Sequence, residues 1–407
     1  MPGNAPRRRR AILHRPDYRR YATSRFLWNL GQQVQAVAVG WLVYDLTRDP
    51  LALGFIGLAG FIPAVPLSLL TGPVADRYDR RNILVLSCAT MALGTVGLCL
   101  AAVDRQVWPV YGFVILIGAA RAFGQPAAQA ILSSLASDDE LPSAVAWTNS
   151  ITQTATIIGP AVGGLLYPFG APVPFVFTCA LFTSAAILAA LLRPAPSKHR
   201  REPVTFAMLV AGYRFIWNRP VIFGALTLDL VAVLLGGATA LLPIYARDIF
   251  MTGPWGLGIL RSMPSIGALI AAFILAHRPM NRHVGRTMFA CVMLFGLATI
   301  GFGLSTNIFL AMPCLIVVGG TDMISVVIRQ SLIQIATPNE MRGRVMAVHT
   351  ISAGTSNQLG EFESGGLAAL VGTVPSVVIG GAGAFLAALI WMRLFPTLRE
   401  RDGMTSD

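Results

Sequence analysis

The sequence predicts an all-α integral membrane protein, with twelve transmembrane helices in two six-helix bundles and both termini cytoplasmic. Three observations predict it. Apolar residues make up 55% of the 407-residue chain and charged residues only 12%, where a soluble protein carries roughly 25% charged. Apolar runs near the roughly 20 residues that a spanning helix needs recur along the whole chain. The basic residues alternate between the loops: with both termini inside, 25 Lys and Arg are cytoplasmic, three (Arg48, Arg105, Arg247) are external and three (Arg121, Arg261, Arg329) lie within spans. That asymmetry fits an even number of spans and accounts for the net charge of +12 without an acidic partner.

The elements follow in order. Residues 1–21 form a basic tail whose Arg7–Arg10 run reads as a cytoplasmic anchor, not a nucleic-acid site. The N-terminal bundle, 22–193, holds spans near 22–46, 51–75, 82–103, 107–134, 143–168 and 173–193. A basic cytoplasmic linker, 194–219, leads to the C-terminal bundle, 220–396, with spans near 220–246, 255–277, 286–305, 308–336, 344–371 and 374–396. Residues 397–407 form a cytoplasmic tail. Phe26 to Leu46 is longer than a signal-peptide core and no small-residue cleavage site follows, so a cleaved leader is not expected. The five cysteines all fall in spans without metal-ligand spacing and read as small packing residues.

The halves repeat at a shift of about 200 residues. Leu135 to Val145 aligns with Ile335 to Val345, Pro63 with Pro264, and Tyr44 with Tyr245. Parallel six-helix repeats joined by a linker are a transporter architecture.

The densest charge cluster lies between the second and third spans. Gly72, Asp76, Arg77, Arg80 and Arg81 form the pattern G-x-x-x-D-R-x-x-R-R, which resembles the signature loop of the major facilitator superfamily. The family pattern usually has glycine where this chain has Asp79. The resemblance implies a conformational latch between one half and the eleventh span; plain topology charges would account for Arg80 and Arg81 as well. Gly159, Pro160, Gly163 and Gly164 in the fifth span resemble the exporter motif of the same superfamily, although Ala155 stands where an upstream glycine is expected. By itself, glycine at i and i+4 permits close helix contact and proline permits a bend. The runs Val43–Thr47, Leu242–Asp248, Arg342–Val348 and Gly360–Phe362 look like the branch containing bacterial enterobactin and macrolide exporters.

Ionisable groups within spans are expensive and are the default functional candidates. They are Asp229 in the seventh span, Asp322 and Arg329 in the tenth, Glu361 and Glu363 in the eleventh, Arg121 in the fourth and Arg261 in the eighth. Arg261 reads as structural. Asn29, Gln32 and Gln33 form one polar face on the first span, and Asn29 is the repeat counterpart of Asp229. In the superfamily the first, fourth, seventh and tenth spans line the central cavity, so the resemblance places Asn29 and Asp229 there. Burial raises a carboxylate pKa and a nearby arginine lowers it, so an acid that gains and loses such a partner can bind and release a proton. Asp229 and Asp322 also fit a purely structural ion-pair role.

The expected function is secondary transport: export of an amphipathic siderophore or drug-like small molecule by alternating access, coupled to protons. No cofactor beyond the proton gradient, no enzymatic activity and a monomer in the lipid bilayer of the inner or plasma membrane are expected. An importer of the same fold, a membrane-embedded enzyme and a non-transporting sensor are the alternatives. The spans lack a nucleophile–base pair at recognisable spacing, and the glycines form no phosphate loop.

Overall fold

Proline starts many of the helices, because it has no N–H to leave unpaired at the first turn and its φ is already helical. In a computed structural model, which describes residues 12–63, 66–67, 71, 74, 77–137, 139–193, 206–278 and 282–403, α1 (Pro16–Thr47) opens in this way. So do α4 (Trp108–Leu135), α5 (Leu141–Leu166) and α6 (Val173–Ala190). Between α1 and α4 lie α2 (Pro50–Phe61) and α3 (Arg80–Val103). The chain leaves α1 and α3 through left-handed arginines, Arg48 at φ 55° and Arg105 at φ 54°.

The second half continues with α7 (Phe206–Trp217), α8 (Pro220–Leu235), α9 (Gly253–His277) and α10 (Val284–Gly303). It closes with α11 (Ile308–Ala336), α12 (Asn339–Val371), α13 (Thr373–Leu394) and the short α14 (Pro396–Arg399). Most of the long helices begin and end within a few residues of the expected spans, but α1 starts six residues before the expected 22. The second span, expected at 51–75, is helical as α2 only to Phe61, and much of 64–76 lies outside the described residues.

Three further features differ from expectation. The seventh span is not one continuous α-helix: α8 stops at Gly236, and a 3-10 turn (Ala238–Leu241), a short α turn (Leu242–Ile244) and a π turn (Tyr245–Ile249) follow. Gly236 and Gly237 are poor helix formers, and a Cβ on Gly237 would run into the backbone of Gly360. Part of the basic linker is helical: α7 lies on α12, with Gly212 against the carbonyl of Arg344. Its apolar residues could only be recognised as a packing face once a partner was in place. The eleventh span starts at Asn339, five residues before the expected 344, directly after the non-helical N-cap Pro338.

Eight of the described helical stretches are long and apolar enough to cross a membrane. Helices α1, α5 and α12 fall outside that set, and they carry many of the polar residues. Asn29, Gln32 and Gln33 interrupt α1, while His349, Glu361 and Glu363 interrupt α12.

The chain divides into two compact units, Met1–Leu46 with Ala59–Pro203, and Thr47–Leu58 with Val204–Asp407. Within the first, α3 packs on α4 and α6; within the second, the repeat counterpart α10 packs on α11 and α13. The repeat extends to single residues. Gly118 on α4 leaves no room for a side chain beside Gly60 and Pro63, and Gly319 on α11 leaves none beside Pro264. The first core gathers Trp28, Leu84, Met91, Ile131 and Phe182; the second gathers Leu228, Met288, Phe289, Ile328 and Leu332.

Candidate functional site

The second unit brings three of its intramembrane charges and a histidine to one region. Helix α8 supplies Asp229, α11 supplies Asp322 and Arg329, and α12 supplies His349. Arg329 is 3% exposed and Asp229 9% exposed, and the guanidinium Nη1 is in ion-pair contact with Asp229 Oδ1. Removing either partner would leave the other charge buried and uncompensated. Asp322 lies within electrostatic reach of both Asp229 and Arg329, and His349 within reach of Arg329. Arg329 Nε is buried without a hydrogen-bond partner among the described residues, so the guanidinium keeps a spare donor.

Asp229, Thr321, Asp322 and Ser325 line a cavity of ≈ 10 Å³ with Cys291 and Phe295. That is room for about one water, and the lining offers it several polar partners. The arrangement can hold a proton or a water between two carboxylates, one of which is ion-paired to a guanidinium.

Glu361 takes a different position on α12. A Cβ on Gly57 of α2 would lie 2.7 Å from Glu361 Oε2, so the carboxylate fills the space this glycine leaves. Arg261 on α9 is its electrostatic neighbour. Glu363 is 3.5 Å from the Ser364 hydroxyl. Sequence reasoning did not nominate His349 and set Arg261 aside as structural. The signal available was burial of an ionisable side chain, which a linear sequence does not disclose for a residue near a span end.

In the first unit, Asn29 donates to the Arg25 carbonyl at 2.7 Å and contacts the Thr152 hydroxyl at 3.4 Å. It has no acid–arginine arrangement like that of its counterpart Asp229. Gln33 packs beneath Gly159, and Gln32 is half-buried on the same helix. Arg121 is exposed on α4. Arg25, counted from the sequence with the cytoplasmic charges, is instead buried at 6% exposure. Its Nη2 donates to Gln125 Oε1 at 3.2 Å, and its guanidinium lies 5.3 Å from the Trp28 ring centre. Helix α1 starts nine residues earlier than Arg25, so the arginine is carried inside rather than held at the surface.

Gly159 and Gly163 bring α5 against α1: a Cβ on Gly163 would stand 2.9 Å from the Val34 carbonyl oxygen. Pro160 and Gly164 on the same helix are buried as well. Of the signature loop, Gly72 and Asp76 lie outside the described residues. Arg77 is exposed and Arg80 half-buried, while Arg81 donates to the Leu192 carbonyl at 3.3 Å within its own unit. Asp79 has a local role that explains an acid there. It is the N-cap of α3, and its carboxylate accepts from the Arg81 N–H at 2.9 Å.

This all-helical chain, with charges buried on apolar helices, matches the model of the transmembrane secretion effector family across residues 11–407. The chain belongs to that family, within the major facilitator superfamily. It is similar to the enterobactin exporter of Citrobacter koseri, at 27% identity over 391 residues, covering 95% of this chain and 93% of the relative. The enterobactin exporter of Shigella boydii is 26% identical over the same share of each chain. Among solved structures, the nucleoside transporter NupG aligns with a TM-score of 0.71 at 16% identity, covering 94% of this chain and 99% of that one. A bacterial homologue of the lysosomal transporter Spinster aligns with a TM-score of 0.74 at 14% identity, covering 98% and 99%. These structures establish the fold. This member of the major facilitator superfamily is a multi-pass membrane transporter.

Proposed function

We propose that this transporter exports an amphipathic small molecule of siderophore or drug-like type in exchange for protons, by alternating access. The observation that carries the reading is the buried Asp229–Arg329 ion pair with a second carboxylate, Asp322, lining the same small cavity as Asp229. A proton supplies the missing positive charge. When Arg329 moves away from Asp229, the carboxylate left in an apolar interior takes up a proton, and when the arginine returns the proton leaves. The relatives named as enterobactin exporters support export and a siderophore-like substrate. The glycine contact of α5 on α1, at Gly159 and Gly163 with the buried Pro160 between them, supports the exporter branch.

The same reading takes the chain to have twelve spans, adding α1, α2, α5 and α12 to the eight apolar stretches, with both termini cytoplasmic. It works as a monomer, with no cofactor other than the proton gradient. The loop at 72–81 acts as its conformational latch, and Arg121, Gln32, Gln33 and Glu363 contribute to the pathway of substrate or protons.

Proteoliposomes with an imposed pH gradient test it. Asp229→Asn should bind substrate but lose gradient-driven accumulation. If Asp229→Asn pumps normally and Asp322→Asn or Glu361→Gln fails, the proton site belongs to α11 or α12. Normal pumping by all three removes proton coupling through these acids.

A further inference from the structure

We propose that the second unit binds the phosphate of an anionic phospholipid at the N-terminal end of α8, between α11 and the C-terminal tail. A cavity of ≈ 210 Å³ there is lined by Arg219, Arg401, Val221, Ile222, Leu332 and Ile335. Its two cations stand over walls that are otherwise apolar, which matches a monoanionic amphiphile better than a small hydrated ion.

Each part has a separate structural cause. Arg219 is the N-cap residue of α8, and Pro220 follows it at the first helical position. Proline has no N–H, but the next amides, of Val221 and Ile222, are in the first turn and have no carbonyl within the helix to bond. The positive end of the helix therefore opens on the cavity that Arg219 lines, with the Arg219 guanidinium 5.5 Å from the Phe215 ring centre. Arg401 is brought there by the tail. The Gly285 N–H donates to the Arg401 carbonyl at 3.1 Å, and the His283 N–H donates to Asp402 Oδ1 at 3.0 Å. Gly285 is required for that approach, since a Cβ on it would collide with the Leu398 carbonyl.

The apolar walls run from buried Ile222 and Leu332 to Ile335, which is 42% exposed and leads outward. An acyl chain continuing along that wall would leave its phosphate at the arginines. Tyr213 and Trp217 on α7, 54% and 60% exposed and stacked at 5.9 Å, are the residue types that settle at headgroup depth. They place this end of α8 at the membrane surface.

Native mass spectrometry of the purified full-length protein, titrated with phosphatidylglycerol or phosphatidylcholine, tests the proposal. Retention of phosphatidylglycerol should exceed that of phosphatidylcholine by roughly fivefold per arginine, or roughly 25-fold for the pair. Arg219→Gln with Arg401→Gln should abolish the preference. Arg219→Lys with Arg401→Lys should keep most of it, and Arg214→Gln, on α7 outside the cavity, should leave it unchanged. Equal retention of both lipids by the wild type, or an undiminished preference in a folded glutamine double variant, overturns the proposal. If the glutamine variant does not fold, competition on the wild type decides. Displacement of phosphatidylglycerol by millimolar inorganic phosphate makes the cavity a free-anion site and overturns the lipid assignment, whereas failure to displace it supports that assignment.

Discussion

Arg329 on α11 and Asp229 on α8 form an ion pair buried from solvent. A pair of this kind returns little net stability, but it makes each partner hazardous to remove. Arg329→Met or Asp229→Ala should each destabilise the protein by about 3–5 kcal/mol, because one charge stays buried alone. Asp229→Asn combined with Arg329→Gln should cost less than the sum. A double-mutant cycle on thermal unfolding in detergent checks this, and additive losses would mean the pair is not coupled.

The glycine contacts at repeat positions predict unequal tolerance. A Cβ on Gly118 would stand 2.7 Å from the Gly60 carbonyl oxygen, and one on Gly319 would collide with the backbone of Pro264. Backbone cannot step aside as a flexible side chain can, so Gly118→Val and Gly319→Val should each cost about 1–3 kcal/mol or more. Gly354 on α12 has nothing within 4 Å of its would-be Cβ. Gly354→Ala should raise stability by about 1 kcal/mol through helix propensity alone. Unfolding temperatures of the three variants in one detergent decide it, and equal losses would contradict the packing account.

The cap on α3 predicts an order of substitutions. Asp79→Ala removes the acceptor for the Arg81 N–H and should cost about 1 kcal/mol. Asp79→Gly, the residue usual in the superfamily loop, should cost only a few tenths of that, because glycine is itself an acceptable cap. Should alanine prove as good as glycine in thermal melts, the cap contributes nothing.

Glu140, in the loop before α5, predicts a pH dependence. The Ser137 hydroxyl donates to its carboxylate at 2.7 Å, and Arg15 pairs with it at 3.1 Å. The Ser137 hydrogen bond is the largest lowering influence and Arg15 adds to it, so the carboxyl titrates below its ordinary value of 4.5. A depressed carboxylate stabilises the fold above its unfolded value. That contribution is lost as pH falls below 4.5 through the lower folded value. Glu140→Gln should therefore flatten the acid side of the stability profile and leave the neutral side nearly parallel. An unchanged acid limb would mean that other carboxylates govern it.

Helix content, many of the helix limits and the two-fold repeat were legible in the sequence because each is a local or periodic property. Twenty apolar residues imply a helix wherever they occur, proline marks the first turn, and Pro63 with Pro264 marks the repeat. The acids and arginines of the candidate site were legible for a related reason: a charge within an apolar run is conspicuous in one dimension. Their pairing was not. Asp322 and Arg329 share a helix face, yet the ion-pair contact of Arg329 is Asp229, because the packing of α8 beside α11 decides which charge is nearest.

The sequence by itself determined that this chain is an apolar, all-helical, internally repeated transporter with a few charges placed at a cost. Tertiary structure alone decided what those charges meet. Arg25 is carried into the interior against Gln125 and Trp28, His349 comes within electrostatic reach of Arg329, and Glu361 settles against Gly57. Arg401 is drawn from the tail to the cavity at Arg219. Burial and partnership depend on distances between segments far apart in the chain, and the period of a helix carries no information about them.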